Sequence, residues 1–387
     1  MNRKLRMGMV GGGRGAFIGT VHRMAATLDN GIELVCGAFS SDPQKSRDSG
    51  RDWFVPEDRI YGSYQEMFEK ESKLPQGTRM DFVSVVTPNN VHFPVCRAAI
   101  ENGFAVVCDK PMTWNLREAK ELEALVEKSG IIFCLTHNYT GYPMVKEARA
   151  IVRGGQLGTV RKVVVEYPQG WLSRHVEREG HKQASWRTDP SKAGASSCIG
   201  DIGTHAENLA EYITGLRISE ICADLTTFIP GRQLEDDGNI LLHFEEGARG
   251  ILFASQVSAG EENALRIRVY GEKAGLHWSQ EEPNTLLVKW ADRPWETRRT
   301  GIGYPFLSAA ALSAARIPAG HPEGFVEAFA NVYRSFAAEL HARLDGTAAK
   351  AEKPDFPTVH DGVRGVAFIE SAVASSRSDR KWMKLVT

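Results

Sequence analysis

The sequence predicts an α/β protein in two parts: a doubly wound parallel sheet at the N-terminus, then an α+β region with a large, open, mainly antiparallel sheet. The chain has 387 residues, more than the roughly 250–300 at which single cores stop growing. Up to residue 140, short apolar runs alternate with helical patterns, whereas longer β-type runs dominate afterwards. We therefore expect domains at 1–140 and 141–387.

The N-terminal region contains apolar runs that are typical of strands covered by helices on both faces. These runs are Leu5 to Val10, Ile32 to Phe39, Phe82 to Val86, Ala105 to Cys108 and Ile131 to Leu135. Between them, Val91 to Glu101 and Leu116 to Lys128 carry apolar residues at helical spacing. This alternation predicts β-α-β units and hence parallel strands.

After a predicted helix at Tyr142 to Arg153, β-type runs follow one another. They are Val160 to Tyr167, Ile221 to Thr227, Asn239 to Phe244, Gly250 to Ser255, Leu265 to Tyr270 and Leu286 to Trp290. Turn residues at Glu245 to Gly247 and Gly271 to Gly275 are typical of links between antiparallel strands. Helical patterns return at Pro322 to Leu344 and Gly362 to Ser375, where they could pack on the first domain.

Composition excludes several classes of protein. The chain is 42% hydrophobic and 25% charged with a formal net charge of −1, which is typical of soluble globular proteins and gives no general affinity for nucleic acid. No run approaches the roughly 20 apolar residues of a membrane span, and Met7 to Val10 is too short for the core of a signal peptide. We expect a cytoplasmic protein that has no membrane partner.

The six cysteines are scattered without a C-x-x-C pair, and most lie in apolar runs. We interpret them as buried thiols, with neither a disulfide nor a bound metal.

A glycine-rich turn, Gly11 to Ala16, follows the first strand and precedes a helical pattern through Val21, Met24 and Leu28. Glycine lets the backbone approach a pyrophosphate, and the start of the following helix attracts the anion. A glycine cluster alone is a weak signal, but its position after the first strand favours a dinucleotide site. The predicted contacts in this segment are Gly11, Gly13, Arg14, Phe17 and Ile18.

The end of the second strand leaves the choice between NAD and NADP open. Dinucleotide sites usually place an acidic residue there to bind the ribose 2′-hydroxyl, but this chain has Ser40 and Ser41, with Asp42 displaced. Asp42 is equally interpretable as an N-cap before Pro43. Serines such as Ser40, with Arg14, Lys45 or Arg47 nearby, could instead receive a 2′-phosphate.

Two further loops follow strands and should border the same crevice, because ligands bind beyond the carboxyl ends of parallel strands. The third strand leads into Thr87, Pro88, Asn89 and His92, and the fourth into Asp109 and Lys110. A lysine directly after a buried strand is a candidate acid or electrostatic clamp rather than a solvated charge.

Together, the glycine turn, Thr87-Pro88-Asn89 with His92, and Asp109-Lys110-Pro111 resemble the glucose-fructose oxidoreductase, inositol dehydrogenase and rhizopine-catabolism (Gfo/Idh/MocA) family. That family usually has Glu where this chain has Asp109, and its glycine turn matches here only if about three residues are inserted before Gly19-Thr20-Val21-His22. The resemblance spans most of the chain. It implies a Rossmann domain that binds NAD or NADP and an oxidoreductase acting on sugars, inositols or related polyols.

In the second region, the resemblance extends to the family's D-x-x-x-H pair, here Asp201 and His205 at the start of a helical pattern. It implies that His205 is the general base, that Lys110 stabilises the substrate oxygen, and that Asp201 accepts from a substrate hydroxyl. The alternative interpretation is a helix cap at Asp201 and a core histidine at His205.

Further residues are assigned to the pocket. Asn138 corresponds to a family position near nicotinamide and substrate, and Tyr139 follows it; Trp186 and Arg187 precede Asp201 and suit a hydroxyl-rich ring. Trp186 could instead serve only to pack the structure.

The predicted function is therefore an NAD(P)-dependent dehydrogenase acting on a CH–OH carbon. Two alternatives stay open: a glycoside hydrolase of the same family that keeps its NAD, and a non-catalytic dinucleotide-binding sensor. Because a large open sheet face rarely remains in water, we also expect a homodimer or homotetramer formed through the C-terminal sheet.

Overall fold

A computed structural model describes residues 3–347 and 354–387. Contacts divide the chain into two compact units, the first containing residues 1–137 and 329–363 and the second 138–328 and 364–387. The domain boundary at residue 140, which the sequence predicts, stays a prediction. Each unit has its own sheet.

The first unit consists of five strands with helices between them. The strands are β1 (Leu5–Gly11), β2 (Ile32–Ala38), β3 (Phe82–Val86), β4 (Ala105–Cys108) and β5 (Phe133–Leu135). The helices between these strands are α1 (Phe17–Thr27), α2 (Pro43–Asp52), α3 (Tyr64–Ser72), α4 (Asn89–Glu101) and α5 (Leu116–Ser129).

The five strands are parallel and lie in the order β2-β1-β3-β4-β5. This arrangement confirms the predicted parallel sheet. From β1 the chain adds β2 on one side of the sheet and then β3 on the other. The position between β1 and β3 is therefore the switch point where open α/β sheets bind ligands. The loops after those two strands, at Gly11 and Thr87, are therefore placed at that point.

Side-chain caps explain two helices that the hydrophobic pattern did not predict, α2 and α3. Asp42 accepts hydrogen bonds from the N–H groups of Gln44 (2.8 Å) and Lys45 (3.0 Å), and Ser63 accepts from Glu66 (3.2 Å). Helix α2 has few apolar residues, so the sequence shows no helical hydrophobic period there. The N-cap residue Asp42 is the sequence feature that indicates the start of this helix.

A buried polar cluster ties helix α11 (Phe325–Leu344) to this unit. The Tyr333 hydroxyl lies 2.7 Å from His22 Nδ1 and 3.0 Å from Ser84 Oγ. Burial lowers the pKa of His22 to about 4, so the imidazole is neutral at pH 7. The histidine of the family's glycine turn thus serves packing between α1, β3 and α11.

The second unit contains nine strands and the remaining helices. The strands are β6 (Val160–Pro168), β7 (Ile218–Thr226), β8 (Asp237–Phe244), β9 (Arg249–Ser255), β10 (Arg266–Gly271), β11 (Ala274–Ser279), β12 (Thr285–Trp290), β13 (Glu296–Arg299) and β14 (Met383–Lys384). The helices are α6 (Pro143–Arg153), α7 (Lys182–Arg187), α8 (Pro190–Ala193), α9 (Thr204–Thr214), α10 (Ala309–Ala314) and most of α12 (Val359–Ser376).

These strands form one sheet in the order β13-β12-β11-β10-β6-β9-β8-β7-β14. Among the strand pairs described in this sheet, only the central pair, β6 and β9, is parallel, which confirms the mainly antiparallel prediction. Inward residues such as Val163, Ile240 and Leu252 pack with Met144 of α6 and Leu209 of α9 in one core.

The sequence prediction missed three strands, β11, β13 and β14. The predicted turn at Gly271 to Gly275 is shorter than expected, because β11 already starts at Ala274. Charged β13 (Glu296–Arg299) and two-residue β14 carry no apolar period to reveal them.

All six cysteines are free thiols, and five are buried. Cys222 is only half-buried, because its side chain lies on a strand face that the helices do not cover. Among the described residues, no helix combines the length and the low polarity that crossing a membrane requires.

The first unit contains a buried carboxylate, and removing it tests how much its hydrogen bonds stabilise the fold. Glu71 is fully buried and bonds to Arg59, to the Tyr61 hydroxyl (2.8 Å) and to the Met80 N–H (2.8 Å). We expect Glu71→Ala to lower the free energy of unfolding by about 3–5 kcal/mol, because it leaves a partly buried guanidinium unpaired. Urea unfolding followed by circular dichroism measures this.

The matched control is Glu69→Ala on the same helix, whose partner Lys73 is equally exposed at 69%. Its loss should stay below about 1 kcal/mol. Equal losses for the two variants would contradict the assignment of Glu71 as a structural brace.

Candidate active site

The glycine turn is a place where side chains have no room. A Cβ on Gly19 would lie 2.3 Å from the Gly12 carbonyl oxygen, and one on Gly13 would lie 2.7 Å from the Phe39 carbonyl oxygen. Gly11 and Gly12 also have φ of +83° and +74°, which side chains disfavour. The turn is thus packed tightly against α1 on one side and the end of β2 on the other.

Helix α1 begins directly after this turn and presents its first N–H groups without a side-chain cap. Its N-cap is Ala16, which has no polar side chain, and its first turn carries no acidic residue. The first N–H groups of a helix have no partner within the helix and attract anions. Phe17, which is 66% exposed, and Ile18 are the first two residues of this helix.

The loop after β3 adds an unsatisfied donor. Within residues 3–347 and 354–387, the buried Thr87 hydroxyl has no hydrogen-bond partner. Thr87 lies against the glycine turn, since a Cβ on Gly11 would be 3.0 Å from Thr87 Cγ2. An orphaned hydroxyl beside a cradle of glycines and an uncapped helix fits a dinucleotide. Pro88 and Asn89 follow, as the N-cap and first residue of α4.

At the end of β2 the structure settles the role of Asp42, which is the N-cap of α2. Ser40 is partly buried, and its hydroxyl accepts from the Asp42 N–H (3.1 Å). Arg14, predicted to contact phosphate, donates to Asp52 from Nε (2.6 Å) and to Asp48 (3.3 Å). Its guanidinium is therefore already engaged by carboxylates of α2.

The loop after β4 is braced on both sides of Lys110. Asp109 Oδ1 accepts from the Lys110 N–H (2.9 Å) and from the Thr136 hydroxyl (2.9 Å). The ring nitrogens of His92 lie 2.8 Å from the carbonyl oxygens of Pro111 and Thr87, and burial lowers the pKa of this imidazole. His92 and Asp109 thus hold the loops, while half-buried Lys110 projects from them.

In the second unit, Asn138 is 3% exposed. No atom of the described chain accepts a hydrogen bond from its Nδ2. A buried amide donor left over in this way fits its predicted position near nicotinamide and substrate.

Asp201 lies in a π-helical turn, Ile199–Gly203, that runs into α9. Its Oδ2 accepts from Arg187 Nε (2.9 Å) and from Gln256 Nε2 (2.8 Å). Asp201 is therefore not a helix cap; it belongs to a partly buried ion pair, with side-chain exposures of 21% for Arg187 and 15% for Asp201. Single π-helical turns often occur at functional sites.

His205, on the first turn of α9, is 7% exposed and packs edge-on against Tyr139, with ring centroids 4.8 Å apart. The Tyr139 hydroxyl is bonded to Tyr167 and accepts from Asn263 Nδ2 (3.3 Å). Burial raises the pKa of Tyr139, so its phenol stays neutral. Tyr139, predicted to bind substrate, therefore has its hydroxyl in a protein network and its ring on the imidazole.

Aromatic rings surround the guanidinium that pairs with Asp201. Arg187 lies 4.2 Å from the Trp186 ring centroid and 6.0 Å from that of Trp171, and its NH1 donates to Gln183 Oε1 (2.6 Å). Both predicted residues, Trp186 and Arg187, thus take part in one cluster with Asp201.

Sequence reasoning missed Tyr167, Gln256 and Asn263. They lie on or just after separate strands, β6 and β9, or in the loop before β10, and polar residues at strand ends carry no pattern of their own. A search for polar residues at the ends of predicted strands would have found Tyr167 and Gln256.

Two family models match the chain. Residues 5–139 match the model described as an oxidoreductase family with an NAD-binding Rossmann fold. Residues 145–277 match the GFO/IDH/MocA C-terminal domain. The two matches lie within the first and second units respectively, apart from the junction at residues 138 and 139.

Relatives cover nearly the whole chain. An uncharacterized oxidoreductase of Bacillus subtilis (strain 168) is 34% identical over 387 residues, which is 99% of this chain and 98% of that protein. The crystal structure of an inositol dehydrogenase homolog from Azotobacter vinelandii complexed with NAD+ is 38% identical with a TM-score of 0.93, covering 99% and 98% of the two chains. A second structure of such a homolog from this organism, with NADH and myo-inositol, is 36% identical with a TM-score of 0.91 and the same coverage.

Close packing at Gly13 gives a direct test of the cofactor site. We expect Gly13→Ala to weaken NADH binding by at least about tenfold, because its Cβ would push the turn away from β2 and displace the anion contacts. Fluorescence titration of the bound nicotinamide measures the Kd.

Gly31→Ala is the control, since a Cβ there meets nothing within 4 Å. It should bind NADH like the wild type. Unchanged affinity in Gly13→Ala, with the fold intact by circular dichroism, would remove the glycine turn from the cofactor site.

Proposed function

Because this chain belongs to the Gfo/Idh/MocA family of NAD-binding oxidoreductases, we propose that it transfers a hydride between nicotinamide and a CH–OH carbon of a sugar, inositol or related polyol. The observation that carries this proposal is the homolog from Azotobacter vinelandii, solved with NADH and myo-inositol and 36% identical over 99% of this chain. A cyclic polyol is accordingly the first substrate class to test.

When bound, the nicotinamide supplies the hydride donor or acceptor. His205 accepts the proton of the substrate hydroxyl as the hydride leaves the same carbon, because an imidazole can be neutral near pH 7. Support for this role comes from its packing, since the ring of buried Tyr139 fixes the plane of the imidazole. The assignment itself is carried over from the family's D-x-x-x-H pair.

Lys110 donates a hydrogen bond to the substrate oxygen and stabilises its developing negative charge. The bracing of its loop supports this role. Asp109 bonds to the Lys110 N–H, and His92 bonds to the carbonyl group of the next residue, Pro111. Because the backbone is held on both sides, the ammonium group starts from a defined position, as an electrostatic catalyst requires.

Asp201 orients the polyol ring by accepting from one of its hydroxyl groups. Arg187 and Gln256 both donate to Oδ2, which fixes the plane of the carboxylate. Arg187 also places a positive charge beside the carboxylate. An immobile acceptor suits a substrate rich in hydroxyl groups.

The test supplies the purified enzyme with NAD and a panel of inositols, sugars and anhydrosugars and follows the absorbance of reduced nicotinamide. We expect reduction with at least one cyclic polyol. Lys110→Met and His205→Gln should each lower turnover by roughly two orders of magnitude or more and leave the Kd for NADH within about threefold of wild type.

The matched control is Lys162→Met, a half-buried lysine on β6, which should turn over like wild type. Near-normal turnover in both Lys110→Met and His205→Gln would discard the mechanism. Cleavage of a glycoside without net reduction of NAD would assign the chain to hydrolysis instead, and binding without any turnover would favour the sensor.

We also propose that the open face of the nine-stranded sheet pairs with a second copy of the chain. Cys222, Leu241, Ile251 and Val164 are cross-strand neighbours on this face, and Leu241 is 44% and Ile251 36% exposed. An apolar row of this kind gains free energy when it is covered.

Leu241→Lys with Ile251→Lys should therefore halve the mass seen by light scattering, because charges on an apolar interface are costly to bury. Phe54→Lys, which is 94% exposed on the first unit, is the control and should keep the wild-type mass. A wild-type monomer at micromolar concentration would refute this assembly.

A further inference from the structure

Arg14, in the glycine turn, is held by two carboxylates of α2. Its Nε and NH2 donate to the two oxygens of Asp52 at 2.6 and 2.8 Å, and its NH1 lies 3.3 Å from Asp48 Oδ2. These hydrogen bonds lower the pKa of Asp52 and raise that of Arg14, so both stay charged near neutral pH. The guanidinium is bidentate on one carboxylate and close to a second.

The position of this group matters because of what it adjoins. The N–H of Gly13 donates to the carbonyl of Phe39, the residue after β2 (3.1 Å), and the N–H of Arg14 donates to Ser49 Oγ (3.0 Å). Arg14 is therefore anchored at the end of β2. In dinucleotide folds the ribose 2′-hydroxyl, or the 2′-phosphate of NADP, is recognised at that end.

The acidic residue nearest the end of β2 is engaged as a helix cap. An acidic side chain at the end of β2 normally accepts from the 2′-hydroxyl and repels a 2′-phosphate. The nearest candidate, Asp42, instead uses its Oδ1 to accept from the N–H groups of Gln44 and Lys45 at the start of α2. Other charges near the end of β2 can then add to the discrimination between the two cofactors.

Arg14 belongs to a chain of ion pairs near the end of β2. Asp48 also lies 3.8 Å from Arg51, which in turn pairs with Glu57, so this chain of ion pairs has two guanidinium groups and three carboxylates. A 2′-phosphate carries about −1.5 to −2 charges at pH 7, and Asp48 and Asp52 oppose its approach. Lys45 and Arg47 on the same helix attract the phosphate instead.

We propose that Arg14 is a masked ligand for the 2′-phosphate of NADP, and that Asp48 and Asp52 mask it and bias the enzyme toward NAD. The pair is exposed, with side-chain exposures of 52% for Arg14 and 44% for Asp52. Exposed pairs are screened by water and salt, so a phosphate can compete with Asp52 for Arg14. Removal of both carboxylates leaves the guanidinium available to the phosphate. Because the inference needs only dinucleotide binding, it is independent of the polyol substrate.

The test measures the Kd of the wild type and of Asp48→Asn with Asp52→Asn for NADH and NADPH by calorimetry, without substrate. We expect the wild type to bind NADH more tightly. Loss of both carboxylates should tighten NADPH binding by about tenfold or more, as expected for removing like charges near a surface anion, and should change NADH binding by less than about threefold.

Adding Arg14→Met to that double variant should reverse most of the gain for NADPH. The gain should also shrink as ionic strength rises, because surface electrostatics are screened. Asp58→Asn removes one exposed carboxylate from the turn after α2 and is the control for net charge. It should leave both Kd values unchanged.

Several outcomes would overturn the inference. These are equal wild-type affinity for the two cofactors, no gain for NADPH in the double variant, or a gain that survives the loss of Arg14. If every polyol fails as a substrate but this pattern of affinities appears, the inference stands while the proposed function falls.

Discussion

The close approach of α1 to β1 at the glycine turn is the constraint on which the first unit depends. Gly19 of the helix sits where any side chain would strike the carbonyl oxygen of Gly12, 2.3 Å from its Cβ position. This contact sets where α1 begins, and so where its free N–H groups point. An anion site made of backbone needs no charged side chain, but it tolerates no added atom.

In the second unit, the side chains proposed to act on substrate are immobilised by other side chains. His205 packs on Tyr139, whose hydroxyl is consumed by Tyr167 and Asn263. The network leaves Tyr139 little scope to bind a ligand through oxygen, but it fixes the ring beside the imidazole. Reactive groups are more precise when their supports are locked by packing and hydrogen bonds.

Much of this could be predicted from the sequence. The alternation of apolar runs and helical patterns predicted all five strands of the first sheet, and the resemblance carried by the glycine turn and Asp109-Lys110-Pro111 to the Gfo/Idh/MocA family is confirmed. These predictions were possible because strands buried on both faces appear in the sequence as continuous apolar runs, and a close-packed turn appears as a cluster of glycines.

The sequence prediction missed contacts between residues that lie far apart in the chain. Gln256 follows β9, yet its partner is Asp201, 55 residues earlier. No local pattern encodes such a pairing, because the sheet order that brings β9 near the π-helical turn is a property of the whole unit.

The two arginine–aspartate pairs show why burial, rather than pairing, decides what such a contact does. Arg187 and Asp201 are mostly shielded, share a third partner in Gln256 and lie among tryptophan rings, so breaking them would strand a charge. Arg14 and Asp52 form shorter bonds but are 52% and 44% exposed, so either can be released at smaller cost. The first pair can therefore serve as a rigid support for a substrate acceptor. Only the second can act as a selector, since an incoming phosphate has to compete with a carboxylate that binds its arginine weakly.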